Sequence, residues 1–281
     1  MEGSLHQYRK PDRIIRPRVG WQAIDVREIW KARELLATLA LRDVKLRYRQ
    51  TALGIIWVVL QPTLAAAIFA FVFGQIARLP SEGVPYFVFS YTSIIAWNVF
   101  SNTLMRTSGC IVQNSHLILK ISFPRLILPL STVFSIVIDF GVALLVLTVL
   151  LIVNGLGPGA GLLLLPVWLS LLILLAIGIG MIASALMVIY RDVQYVVPVL
   201  IQLWLYASPV AYAVSVVPAR FRPLYFLNPL TGLLEAFRWS LLGRGALRWE
   251  YVLYSAFFTF IVFLGGAFIF KRMERRFADV I

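Results

Sequence analysis

Charge is scarce in this chain. Only 14% of its 281 residues are Asp, Glu, Lys or Arg, while 60% are hydrophobic. A soluble domain carries roughly 25% charged and about 45–50% apolar residues, so a soluble globular protein is excluded. Cysteine is nearly absent. Cys110 alone rules out an intramolecular disulfide and a cysteine metal cluster. The two histidines, His6 and His116, lie far apart, which argues against a His-based zinc site. No G-x-x-x-x-G-K-[ST] loop occurs, and the glycine cluster at 155–161 lacks the lysine that a phosphate cradle needs. G-x-S-x-G and H-E-x-x-H are missing too, so hydrolase chemistry has no anchor. The first 50 residues hold no apolar core of the signal-peptide kind, and no secretory leader is expected.

What is present is organised around residues 42–62, RDVKLRYRQTALGIIWVVLQP. Arg42, Lys45, Arg47 and Arg49 fall within eight residues, and no charge follows until Arg78. The net charge of +13 would suit nucleic acid, but its placement argues otherwise. Residues 1–54 hold 12 of the 26 Lys and Arg, and most of the others sit at the ends of apolar runs. That is the positive-inside pattern of a membrane protein. Residues 1–20 read as a polar tail with little fixed structure. Residues 24–49 read as a helix with Leu41, Val44 and Tyr48 on one face and Arg42, Lys45 and Arg49 beside it. It suits either the headgroup layer of the inner leaflet or a soluble amphipathic helix.

A membrane-spanning helix needs about 20 apolar residues. Six candidates are expected, at about 53–77, 86–112, 127–153, 162–189, 194–216 and 250–270. Pro62 is expected to kink the first, and the fifth contains Pro198 and Pro209. Residues 1–50 then form a cytoplasmic tail and interface helix, 51–270 the transmembrane domain, and 271–281 a second cytoplasmic tail. This arrangement puts 19 of the 26 Lys and Arg on the side that holds both termini.

Asp139 is the one carboxylate well inside a candidate span. An ionisable group at that depth is a functional-site hypothesis. Its expected partner is Arg106, since helical rise puts the two about 9 and about 18 Å from the cytoplasmic ends. The pair either braces helices or contacts substrate. Asn98, Asn102 and Arg106 repeat every four residues, a stripe that either glues helices or lines a pore. Ala176, Gly180 and Ser184 repeat likewise and permit close helix packing.

Loop 113–126, QNSHLILKISFPRL, reads as a short apolar helix capped by Asn114 or Ser115 and ended before Pro124. Apolar surface in the cytosol implies docking on a partner or on the bilayer. Residues 218–249 are rich in aromatics and divided by Pro223, Pro229 and Gly232. They read as two short helices dipping into the outer leaflet, the second near 230–242, or as an ordinary outer loop. Eight tryptophans fit an aromatic belt. Trp204, Tyr206, Tyr212, Phe226, Phe237 and Trp239 would also suit a wall against which sugar rings pack.

Four blocks in order carry a family resemblance: RELL…RDVKLRYRQTALGIIWVVLQP, NSHLILKISFPRLILPL, YRDVQYVVPVLIQLWLYASPVAY and FLNPLTGLLEAFRW. Over residues 27–275 the chain resembles the membrane subunit of type-2 ABC exporters of O-antigen, capsular and teichoic-acid polysaccharides. The resemblance implies an all-α permease in the bacterial inner membrane, working as a homodimer with two copies of a separate ATPase. ATP and Mg would sit on that ATPase, with no cofactor or metal in this chain. The implied cargo is a polysaccharide on a polyprenyl diphosphate.

By the same resemblance, residues 33–50 form an interface helix. Leu117, Ile118, Lys120 and Ile121, with Arg191 and Asp192, form contacts to the ATPase. Residues 218–242, with Asn228 and Pro229, form outer gate helices. A teichoic-acid, lipid or drug exporter of the same family is the alternative. An ion-coupled transporter is disfavoured by the scarcity of intramembrane carboxylates.

Overall fold

The computed structural model describes residues 26–49, 54–157, 159, 161–245 and 247–280. The expected tail at 1–20 lies outside the described residues. Regular structure among the described residues is helical throughout. Two helices, α1 (Val26–Lys31) and α2 (Arg33–Arg49), occupy the expected interface segment. Leu39 and Ala40 face inward while Leu41 is 59% exposed. Of the stripe expected at Leu41, Val44 and Tyr48, the last two are half-buried and only Leu41 turns outward. The reason is tertiary: α2 packs on the helix at 127–153, and that helix decides which face is covered.

The first long helix is α3 (Ile56–Phe69), continued by a π-helical segment to Ile76. Pro62 is carried inside it. Next come α4 (Tyr86–Gln113), the short α5 (Ser115–Lys120) and α6 (Ile127–Val153). A 3-10 turn leads into α7 (Leu165–Ile189), followed by α8 (Val193–Tyr206). Two further turns lead to α9 (Arg222–Phe226) and α10 (Pro229–Leu242). The last helix, α11 (Trp249–Val280), absorbs both the expected sixth span and the expected tail.

Among the described residues, four stretches are long and apolar enough to cross a membrane: Ile56–Ile76, Ile127–Val153, Leu162–Ile189 and Trp249–Glu274. Helix α4 has the length, at 28 residues, but too many polar side chains. The run expected at 194–216 is not one helix. Its 14 helical residues rise only about 21 Å, short of the roughly 30 Å hydrocarbon core. Pro198 is tolerated within α8. The helix instead ends just ahead of Ser208–Pro209, where the proline disfavours a helical residue before it.

The core forms around α4, which α7, α6, α3 and α10 cover. Its hydroxyls turn back on their own helix: Thr92, Ser93 and Thr103 donate to the carbonyls of Val88, Phe89 and Val99. The α4–α7 contact uses the small-residue stripe, with Gly180 against Thr107 and Ser184 beside Cys110. The α7–α11 contact is closer. A Cβ at Gly266 would stand 2.2 Å from the carbonyl oxygen of Gly178. Backbone cannot yield as a side-chain tip does, so Gly266→Val should destabilise by about 3 kcal/mol, the upper end for overpacking. Gly265→Val, with open space at its Cβ position, is the control. Thermal stability of the two variants in detergent checks the contrast.

Candidate functional site

The sequence places apolar residues on α5, and the structure sorts them into two sets. Ile118 turns inward and joins the core, and Leu117 is half-buried. Leu119 and Ile121 are 61% and 51% exposed, with Lys120 exposed between them. The outward-facing apolar pair is therefore Leu119 and Ile121, with Ile118 as its root. The expected cap is absent, because Asn114 makes no side-chain cap bond. Its Nδ2 donates to the carbonyl of Cys110 at 2.8 Å. Its Oδ1 accepts from Arg42 Nη2, also at 2.8 Å.

That second bond ties the interface helix to the start of α5. Arg42 also pairs with Asp43 at 2.8 Å. Behind α5 the loop is tied to α11. Arg125 donates to Glu274 through its backbone nitrogen, and its guanidinium reaches the Glu274 carbonyl. Lys271 holds the Glu274 carboxylate at 2.6 Å. The Arg125 guanidinium also lies over the Phe277 ring, 5.8 Å from its centre. So α5 sits between two braces. Arg191 and Asp192 form the exposed turn between α7 and α8.

Asp139 is buried, as its depth implied, but its partner is not Arg106. Arg47 Nη2 lies 2.6 Å from Asp139 Oδ2, and the Tyr48 hydroxyl donates to Oδ1. Arg106 Nη1 instead donates to Ser135 Oγ at 3.0 Å, one turn nearer the N-terminus of α6. Packing of α2 on α6 delivers two consecutive side chains to the carboxylate, which no count along α4 anticipates. Burial pushes the Tyr48 phenol up to about 12, and the hydrogen bond to Asp139 adds to the shift. The phenol is therefore a proton donor at every physiological pH.

Asp139 and Arg47 also border a cavity of about 40 Å³, lined further by Gln61, Asn98 and Asn102. A cavity above roughly 15 Å³ on that measure holds a water, so the polar stripe of α4 meets wettable space. Of the basic cluster, Lys45 alone among the described side chains stays exposed to solvent or headgroups. The Arg49 side chain lies outside the described residues.

On the opposite side the aromatic candidates divide. Phe226 and Phe237 are buried, stacked on Tyr251 at 3.7 Å and edge-on to Phe140 at 5.8 Å. Pro229 is buried as well, and Trp239 packs on Gly161. Those four pack within the chain. Tyr206 is 60% exposed and Tyr212 half-buried. Trp204 meets Phe100 edge-on at 5.3 Å, and its indole N–H donates to Asn228 Oδ1 at 3.0 Å.

Asn228 is the most heavily used side chain here. Oδ1 also accepts from the Leu230 backbone, capping α10. Nδ2 donates to the Ala207 carbonyl and to Ser208 Oγ. Asn228→Asp keeps the acceptors and removes both donors. It should cost about 1 kcal/mol, because the Ala207 carbonyl loses its donor while the Ser208 hydroxyl can turn to donate to the new carboxylate. Melting of the purified variant measures this.

Sequence reasoning missed Tyr48 as a polar residue, Arg125 as a brace, and Arg238. The last is a guanidinium only 2% exposed, paired with Glu235 at 2.7 Å. Its signal was legible: a Glu and an Arg three apart inside an otherwise apolar helix.

These features define a multi-pass helical membrane protein whose short apolar helix α5 is braced to two of its neighbours. The model of the ABC-2 type transporter family matches residues 34–242, and the chain belongs to that family. It is 30% identical over 255 residues to the O-antigen export system permease protein RfbA of Klebsiella pneumoniae, covering 88% of this chain and 95% of that protein. It is 29% identical over 259 residues to the protein of that name from Myxococcus xanthus, covering 91% and 98%. Against the polysialic acid transport protein KpsM of Escherichia coli it is 24% identical over 241 residues, covering 84% and 92%.

Proposed function

We propose that this chain is the transmembrane subunit of an ATP-driven exporter that moves a lipid-linked polysaccharide of the O-antigen type across the bacterial inner membrane. The observation that carries the reading is α5. It presents Leu119 and Ile121 outward while Arg42 and Arg125 brace it to α2 and α11. Such a helix needs a partner to cover it, and the missing P-loop calls for a partner that hydrolyses ATP. Relatives named for O-antigen and polysialic acid transport support a polysaccharide cargo.

In this reading two copies of the chain assemble with two ATPase copies, which hold ATP and Mg. Both termini are cytoplasmic, and the chain crosses the membrane six times. Helix α4 is the second crossing, sheltered by its neighbours. Helix α8 with the bend after it is the fifth, and α9 and α10 re-enter the outer leaflet. Arg47, Tyr48 and Asp139 carry the motor's movement from α2 into α6. Tyr206, Tyr212 and Trp204 border the sugar path.

Co-expression with the cognate ATPase should yield a stable complex with ATPase activity, while the purified chain alone has none. In cells lacking the permease, the chain should restore polysaccharide to the surface. Failure of the ATPase to co-purify, or lipid-linked polymer still held inside, would overturn the reading.

A further inference from the structure

Past Tyr206 the backbone leaves the helix at membrane depth, yet residues 208–211, 213 and 214 are buried. Irregular backbone is tolerated there only where the protein satisfies its polar groups. Four carbonyls are satisfied by four different side chains. Tyr206 O accepts from the Tyr212 hydroxyl at 3.0 Å, and Ala207 O from Asn228 Nδ2 at 3.1 Å. Pro209 O accepts from Arg238 Nη1 at 3.2 Å, and Ala211 O from the Tyr86 hydroxyl at 2.6 Å.

Arg238 is the one cation among the four, and it joins α10, α4 and the bend. It pairs with Glu235 within α10. It reaches α4 by donating to Ser93 Oγ at 3.1 Å and by lying 4.4 Å above the Phe89 ring. It holds the bend through Pro209. A guanidinium presents several donors in a fixed plane, which a lysine ammonium cannot imitate. Below the bend α8 stands apart. An apolar groove of about 440 Å³ runs between it and α4 and α7, bordered by Leu104, Ile179, Ala183 and Val197. The helix is thus loosely packed along its shaft and firmly joined at its outer end.

We propose that Arg238 is the positioning residue of the outer side: it clamps the bend after α8 to α10 and α4, so that a displacement of α8 begun at the Arg191–Asp192 turn is delivered to the outer segment. The proposal rests on the permease reading, which supplies a motor at that turn.

The test uses the full chain with its ATPase in a Cys110→Ala background, which removes the sole thiol. A cysteine replaces Ala213, which is fully buried in the bend, and a membrane-impermeant maleimide is applied from outside. The parent stays unlabelled. Arg238→Met with Glu235→Gln, which avoids stranding a carboxylate, should raise the labelling rate about tenfold or more as the bend opens locally. A cysteine at Leu172, equally buried but nearer the outer end of α7, should stay protected throughout, which separates local opening from unfolding.

In the same preparations ATP turnover should persist while export falls about tenfold, a split expected when motor and outer segment are uncoupled. Protection of the Ala213 site in the assembled double variant overturns the proposal. So does ATP turnover that declines in step with export. Where the double variant fails to accumulate, Arg238→Lys replaces it. Its labelling should rise as well, and a rate equal to the parent's overturns the proposal. Labelling that rises in a chain unable to bind any ATPase supports the clamp and overturns the permease reading alone.

Discussion

A chain carrying Leu119→Asp and Ile121→Asp will reach the membrane at normal levels and fail to hold its ATPase. Both side chains stand more than half exposed on α5 in the isolated chain, so their replacement removes nothing from the chain's own core. Burying an apolar side chain of this size against a partner is worth about 1.5–3 kcal/mol. With a little over half of each side chain still to be covered, the two together account for roughly tenfold to a hundredfold in affinity. The new carboxylates add a desolvation cost on the partner's side. Ile118→Asp provides the contrast. Ile118 is packed inward, so charging it should lower the amount of folded chain as well as ATPase binding. Co-purification from membranes and titration of the ATPase onto the reconstituted chain measure both. Undiminished binding by the Leu119/Ile121 variant would remove α5 from the docking surface.

Asp139→Asn is expected to be the most damaging single polar change inside a span. The asparagine keeps an acceptor for Tyr48 but leaves the Arg47 guanidinium against α6 without its counter-charge. Removing one partner of a buried pair costs about 3–5 kcal/mol. With the Arg47 side chain still 26% exposed, a value near the lower end is expected. Tyr48→Phe removes one bond to a charged acceptor and should cost about 1.5–3 kcal/mol. Because the three groups touch, the double variant should fall short of the sum. Ser170→Ala, at an exposed site on α7, is the neutral control. Melting in detergent reads the stability, and ATP turnover against export reads the coupling. A melting point for Asp139→Asn equal to the control's would mean that the α2–α6 contact does not depend on the ion pair.

Much of this arrangement is written locally in the chain. The bounds of α6 match the expected 127–153, because an uninterrupted apolar run ends at the Asn154–Gly155 turn. Helix α10 starts at Asn228–Pro229 and stops at Gly243 in the left-handed conformation, a cap and a stop both legible as residue types. What escaped is what depends on a distant helix. Asp139 announces a need for a partner, but sequence spacing points along neighbouring spans and not to Arg47, 92 positions earlier on a surface helix. The outward turn of Leu41 has the same origin: several faces of α2 carry apolar residues, and α6 chooses among them. The end of α8 was misjudged because hydropathy continues through the bend. Its carbonyls are satisfied by side chains that composition cannot assign.

The setting of α4 bears on how the chain enters the bilayer. Toward its N-terminus it carries Ser90, Thr92, Ser93 and Asn98, and toward its C-terminus Asn102, Thr103 and Arg106. Such a segment gains little by partitioning alone into lipid. The surface that finally covers it comes largely from α6, α7 and α10, all synthesised later. On the proposed topology, α4 is therefore expected to stay beside the insertion machinery until those helices arrive. Truncation before α7 should leave α4 exposed to membrane quality control, however sound α3 is by itself.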